Sequence, residues 1–296
     1  MAREKLAWQS KLVLLIVLPA TGTDLFLESV RWASEHAPVA VCTLGLSALL
    51  GLLAFGMRSA TPLAAVTGAI LTASLMFSTA TAPYQPWRTA LMPVLALFIL
   101  TSLSTRMGRR RKEHLGTAES RTGRKASQVA ANIGVAALLS LEVARTWQIN
   151  SSWLHLFGLL PAAVFAAGLA ALCEAAADTV SSELGQLLNS RPRMITTLRI
   201  AEPGTDGAIS LGGTLSGVVA AGLVACAGTA ALGGDWFLGL VSWAGGVFGL
   251  FFDSALGATL ERRGWLNNDA VNFLSTASAA AFTLLLLANR AILGLR

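Results

Sequence analysis

Charged side chains make up only 13% of these 296 residues, while 54% are hydrophobic. A soluble domain carries about 25% charged residues, so the shortage excludes an ordinary water-facing surface and points to a chain whose solvent is largely lipid. Cysteine is scarce as well. Cys42, Cys173 and Cys226 are odd in number, widely spaced and set inside apolar runs. The absence of any CxxC pair leaves a zinc site or a disulfide framework without support, and small apolar packing residues are the simpler reading. Short strands of alternating polarity are missing, which excludes a transmembrane β-barrel. No internal repeat is evident either.

What is present is a series of apolar runs approaching or exceeding the roughly 20 residues needed to cross a bilayer core as a helix. Candidate spans are 12–28, 38–57, 62–82, 89–105, 126–146, 153–182, 212–232, 236–258 and 270–293. The expectation is an all-α polytopic bundle of about nine transmembrane helices. The first span is the weakest. Its apolar core ends at Pro19, Asp24 follows, and Arg3 and Lys5 ahead of it give it the look of a signal peptide. It is read as a short or tilted helix.

Alternating the spans sorts the Lys and Arg residues onto two sides. One side holds Arg3, Lys5, Lys11, Arg58, the basic run from Arg106 to Lys125, Arg191, Arg193, Arg199, Arg262 and Arg263; the other holds Arg31, Arg88, Arg145, Arg290 and Arg296. Cytoplasmic loops carry the excess, so the amino terminus is expected inside. Trp32, Tyr84, Trp87, Trp147, Trp153 and Trp236 then fall at the outer boundary, where interfacial aromatics belong. The run RMGRRRK at 106–112 directly follows a span and has no nucleic-acid fold around it. It reads as a topology signal and a contact with anionic membrane lipids, not as a nucleic-acid site.

Ionisable groups inside spans are costly and are functional candidates by default. The sixth span holds Glu174, Asp178 and Glu183, with Glu174 and Asp178 on one helix face. The eighth holds Asp253, and the ninth opens with Asn268, Asp269 and Asn272. Asn268 or Asp269 would serve as an N-cap, which leaves Asn272 unexplained. In the fifth, Gln128 and Asn132 share a face and suit either interhelical glue or a site. The topology puts all these groups in the cytoplasmic half, as a pocket open to the cytoplasm would require. The loop at 184–211 adds Arg191, Arg193, Thr205, Asp206 and Ser210 before a helix start, where backbone amides can cradle phosphate. Gly213 stands where a P-loop needs lysine, so that motif is rejected. Carboxylates beside amides and arginines at a lipid boundary point to magnesium and phosphoryl transfer.

The stretches SLSTRMGRRRKE, GRKASQVAANIGVAALL, ADTVSSELG, PRMITTLRIAEPGTDGAISLGGTLSG, FFDSALGATLERRG and WLNNDAVNFLST, in that order, resemble the family of the transmembrane protein nineteen and the plant phytyl-phosphate kinase of tocopherol synthesis. The resemblance is clearer over 91–296, with its basic loops 106–125 and 184–211, than over the amino-terminal helices of 1–90. It implies a kinase that turns an isoprenyl monophosphate (phytyl, geranylgeranyl or farnesyl) into its diphosphate with a nucleoside triphosphate, CTP or ATP. The chemistry then makes Asp178, Glu183, Asp253 and Asp269 metal-ligand candidates for Mg2+. Arg124, Lys125, Arg191 and Arg193 become phosphate clamps, and Thr205, Asp206 and Ser210 donor contacts. Asn132, Asn268 and Asn272 would orient phosphate or water. A bacterial inner membrane is the expected location. The competing reading is a cation-coupled transporter or channel, which requires polar groups across both halves of the membrane.

Overall fold

A computed structural model of the chain describes residues 6–117, 122–141, 161–188 and 191–292. The boundary between the fifth and sixth spans, with Arg145, Trp147 and Trp153, lies outside the described residues, as do Arg3, Lys5, Arg121 and Arg296. The helices are α1 (Ala7–Gly56), α2 (Pro62–Ser78), α3 (Leu91–Arg106), α4 (Arg109–Leu115), α5 (Ala126–Ser140), α6 (Pro161–Gly185), α7 (Leu211–Leu232), α8 (Trp236–Leu256) and α9 (Asn268–Ile292). Five are long and apolar enough to cross a membrane, and α2, α3 and α5 are shorter apolar helices. The protein is an all-α integral membrane bundle.

Local chemistry sets the helix ends. The Thr61 and Ser210 hydroxyls accept from the backbone N–H of Ala64 and Gly213, and the Asp235 carboxylate accepts from that of Phe237. Each closes an orphan donor at a helix start. At α9 the cap is Asn267, whose side chain accepts from Ala270 N at 2.9 Å. The cap is therefore neither Asn268 nor Asp269, the two residues offered for it.

Straight, α1 would run about 75 Å at 1.5 Å per residue, more than twice a hydrocarbon core of about 30 Å. It is broken at His36 (φ −151°, ψ 75°), two residues before Pro38. Both its ends lie at the same end of the bundle. Gln9 donates to Trp265 O and Ser10 to Asp269, while Met57 O accepts from Arg106 and Thr61 N donates to Arg124 O. The halves thus run in opposite directions, turned around a cluster of Trp32, Val39, Ala40 and Phe77. The loop expected between the first two spans shrinks to one non-helical residue. Counted this way, the described residues contain nine apolar helical segments.

The centre of the bundle is α6, which packs against α3, α5, α7, α8 and α9. Its most apolar window is 89% buried, against 28–44% for the other long helices. The sequence explains this position. Ala166, Ala167, Ala170, Ala171, Cys173, Ala175, Ala176 and Ala177 put small side chains on every face, and small residues let helices approach closely on all sides. Leu15, Phe26, Leu52, Leu63, Leu211 and Leu285 are exposed on the outer helices, as a lipid-facing surface requires.

Two glycines show how close the approach is. A Cβ on Gly217 of α7 would lie 2.7 Å from Ala177 O, and one on Gly249 of α8 would lie 2.5 Å from Glu174 Cγ. Overpacking of this kind costs about 1–3 kcal/mol. Gly249→Ala is therefore expected to lower the thermal unfolding midpoint in detergent. Gly222→Ala, whose Cβ would meet Trp243 no nearer than 3.6 Å, is expected to leave it unchanged.

Between α6 and α7 the chain forms a two-residue antiparallel ladder, Arg193–Met194 against Ala208–Ile209. The hydropathy pattern did not announce it. It presses Gly207 against the five-residue π-helical turn Gly257–Glu261 that extends α8.

Candidate functional site

The most enclosed helix carries the acids. Glu174 is 1% exposed on α6, and Asp178 follows one turn later on the same face. Asp253 of α8 lies within hydrogen-bonding reach of Asp178, and the Ser275 hydroxyl of α9 lies within reach of both Glu174 and Asp253. Glu174 Oε1 and Asp253 Oδ2 are buried without a hydrogen-bond partner. Two carboxylates this close repel unless a proton or a cation stands between them.

Among the described residues, no group of three or more His, Cys, Asp or Glu side chains is arranged to hold a metal ion. Two carboxylates, one with an unpartnered oxygen, nevertheless fit the way Mg2+ is usually bound: one or two protein carboxylates, with waters and substrate phosphates completing the octahedron.

Arg124 links this pair to a second feature. Its charge acts on Asp178, and its guanidinium donates to Thr179 Oγ1 at 3.3 Å. It also lines a cavity of about 710 Å³. The cavity walls come from the second half of α1 and from α2, α3 and α5, and are mostly small or apolar: Gly51, Ala65, Gly68, Val94, Leu97 and Phe98. At the basic end its lining changes to Arg58, Arg106, Arg124 and Arg109, the last paired with Glu113 at 3.2 Å, which lines the cavity too, and Asn132 lies on the α5 wall. Arg106 crosses from the end of α3 to Met57 O at 2.6 Å, bracing that end. An apolar chamber with a cationic mouth matches an amphiphile that has an anionic head and a hydrocarbon tail.

Asn132 and Asn272 meet directly, Asn272 Nδ2 donating to Asn132 Oδ1 at 3.1 Å. They join α5 to α9 beside the acids. The other candidates are engaged in contacts of their own, and of these Glu183 is near enough for its charge to act on Asp178. Glu183 is held by Lys112 in a buried ion pair of 2.5 Å. Asp269 accepts from Ser10 Oγ at 2.6 Å in a polar knot with Gln9 and Asn267, and Asn268 opens α9 beside it. Ser210 caps α7 and Thr205 donates to Glu202 O. Arg193 donates to Leu198 O, while Lys125, Arg191 and Asp206 are exposed.

Two sets of residues escaped sequence reasoning. Arg58, Arg106 and Arg109 read as topology signals, and their position just past a span end was the only sign that they could also face a ligand. Asp24 and Glu28 are buried well along α1, Asp24 accepting from Ser74 at 3.0 Å and Glu28 paired with Arg31. Polar groups therefore also occur away from the basic end.

A family model described as "Integral membrane protein DUF92" matches residues 45–280. An uncharacterized membrane protein of Methanocaldococcus jannaschii is 47% identical over 108 residues, 36% of this chain and 45% of the relative. One from Synechocystis is 35% identical over 210 residues, 67% of this chain and 73% of the relative. The chloroplastic protein VTE6 of Arabidopsis thaliana is 28% identical over 204 residues, 65% of this chain and 57% of the relative. The matches thus span less than two thirds of the archaeal and plant relatives. No solved structure matches the chain.

Proposed function

The chain belongs to the integral membrane family described as DUF92, and from that premise we propose that it is an isoprenyl-monophosphate kinase working at the cytoplasmic face of a cell membrane. One observation carries the reading: Arg124 stands both in the cationic mouth of an apolar cavity and beside the Asp178–Asp253 pair. An acceptor phosphate held at that mouth would lie next to the groups best suited to a metal-bound triphosphate. The resemblance to the plant phytyl-phosphate kinase and the similarity to protein VTE6 support the same reading.

In this reaction a terminal oxygen of the acceptor phosphate attacks the γ-phosphorus of ATP or CTP. The bond from the γ-phosphorus to the β,γ-bridging oxygen breaks and the nucleoside diphosphate leaves. Phosphoryl transfer asks the protein mainly for positioning and charge stabilisation. Arg58, Arg106, Arg109 and Arg124 fix the acceptor phosphate. Asp178 and Asp253 would hold Mg2+, which would neutralise charge on the donor phosphates. Exposed Lys125, Arg191 and Arg193 steer the triphosphate, and the Asn132–Asn272 pair holds α5 and α9 in register beside it.

The test is a transfer assay on detergent-purified protein with Mg2+, ATP or CTP, and geranylgeranyl phosphate. Arg124→Ala is expected to lower kcat/KM about 100-fold or more, in the range for removing one preorganised donor. Lys125→Ala should lower it only a few-fold. Equal losses in the two variants would contradict the placement of the acceptor phosphate.

Asp24 and Glu28, buried in α1, favour a second reading: cation-coupled transport, with carboxylates at two depths.

A further inference from the structure

Helices α2 and α3 are consecutive and antiparallel, yet they scarcely touch; α3 leans instead on α6 and α7. The parting between them is the cavity of about 710 Å³. Its walls on the α1–α2 side are built from Gly51, Ala54, Ala64, Ala65 and Gly68, side chains too small to fill it. A second cavity, of about 510 Å³, is lined by Leu75, Pro93 and Ala136. These follow closely on Thr72, Val94 and Ile133, which line the first. The second thus continues the line of the first along α2, α3 and α5, away from the arginines, and is closed on its far side by Phe165, Gly168 and Leu172 of α6.

We infer that the cleft between α2 and α3 holds the isoprenoid tail of the acceptor, extended from the arginine mouth toward the opposite end of the bundle, and that its length selects long prenyl chains over short ones. This rests on the proposed acceptor and adds its tail. The occupant follows from the chemistry of the two ends. A row of arginines calls for an anionic head, and the apolar parting beyond it excludes a free phosphate or a nucleotide as the whole ligand. Long apolar substrates gain from such a cleft in proportion to the surface they remove from water; a five-carbon chain would reach little of it.

Gly68 offers a direct probe. It lines the cavity, and a Cβ built there would meet only Val129 Cγ1, at 3.8 Å. Gly68→Phe therefore intrudes on the tail's path, and Gly68→Ala does so mildly. Thermal unfolding of both variants, checked first, shows that they are folded. In the transfer assay, Gly68→Phe is expected to lower kcat/KM for geranylgeranyl phosphate about tenfold or more, the scale of a pocket mismatch of a methylene or larger. The value for isopentenyl phosphate should stay within about twofold, and Gly68→Ala should fall between. Transfer that is equally changed, or unchanged, for both chain lengths would overturn the tail's placement and leave the kinase reading intact. If the wild type transfers to no acceptor, thermal stabilisation by geranylgeranyl phosphate decides alone. Stabilisation lost in Gly68→Phe sustains the tail site without the kinase, and no stabilisation of the wild type overturns it.

Discussion

Asp253→Asn is expected to lower phosphoryl transfer about 10²–10³-fold, the loss typical when one preorganised electrostatic partner of the transition state is removed. It should do so without unfolding the bundle. Asp253 faces Asp178 on the most enclosed helix, and one of its oxygens has no hydrogen-bond partner. An amide in its place removes like-charge repulsion and keeps the shape, so the thermal midpoint without metal should stay the same or rise. Asp178→Asn should behave likewise. Chelating Mg2+ should stop the wild-type reaction and leave nothing further to lose in either variant. Asp235→Asn at the start of α8 is the control: asparagine caps a helix about as well as aspartate, and both activity and stability should persist. Full magnesium-dependent activity in Asp253→Asn would remove that residue from the metal.

The largest effect on stability is expected at Lys112. Its ammonium is 1% exposed and donates to Glu183 at 2.5 Å, to Ser104 O at 2.8 Å and to Thr105 O at 3.3 Å. Lys112→Met would strand a buried carboxylate beside two carbonyls. Breaking a buried pair from one side costs about 3–5 kcal/mol. The double variant Lys112→Met/Glu183→Gln should recover most of that, because no uncompensated charge remains. Thermal unfolding of the three proteins in one detergent measures it. A single variant as stable as the wild type would mean that water reaches the pair. On this account Glu183 ties α4 to α6, so it is the least suited of the four proposed ligands to hold Mg2+.

The spans were legible because a bilayer demands long apolar runs whatever their neighbours, and the helices fall close to the runs that hydropathy marked. Helix neighbours were not legible, since hydropathy fixes depth and leaves lateral packing open. Depth alone grouped Asp269 with Asp178 and Asp253, whereas Asp269 faces Ser10 across the α1–α9 contact. The run 106–112 looks uniform in sequence, yet Lys112 is buried while Arg110 and Arg111 are exposed. That split depends on where α4 docks. The turn at His36 was legible only as a loop: the polar stretch ESVRWASEHAP parted the first two spans, but hydropathy did not show that one non-helical residue reverses α1 there, held by Trp32, Val39, Ala40 and Phe77. Most telling is the cavity mouth. Arg58, Arg106 and Arg109 satisfy the rule that orients the protein, and satisfying it concealed their convergence on one opening.

Sealed proteoliposomes that contain geranylgeranyl phosphate separate phosphoryl transfer from transport. Mg2+ and ATP or CTP are supplied on one side only, while prenyl diphosphate and cation flux are followed together. A kinase forms diphosphate without flux, only when nucleotide reaches the arginine-rich face, and the product is lost in Asp253→Asn. Flux that depends on Asp24 or Glu28, with no diphosphate from either nucleotide, would contradict it and make the protein a transporter.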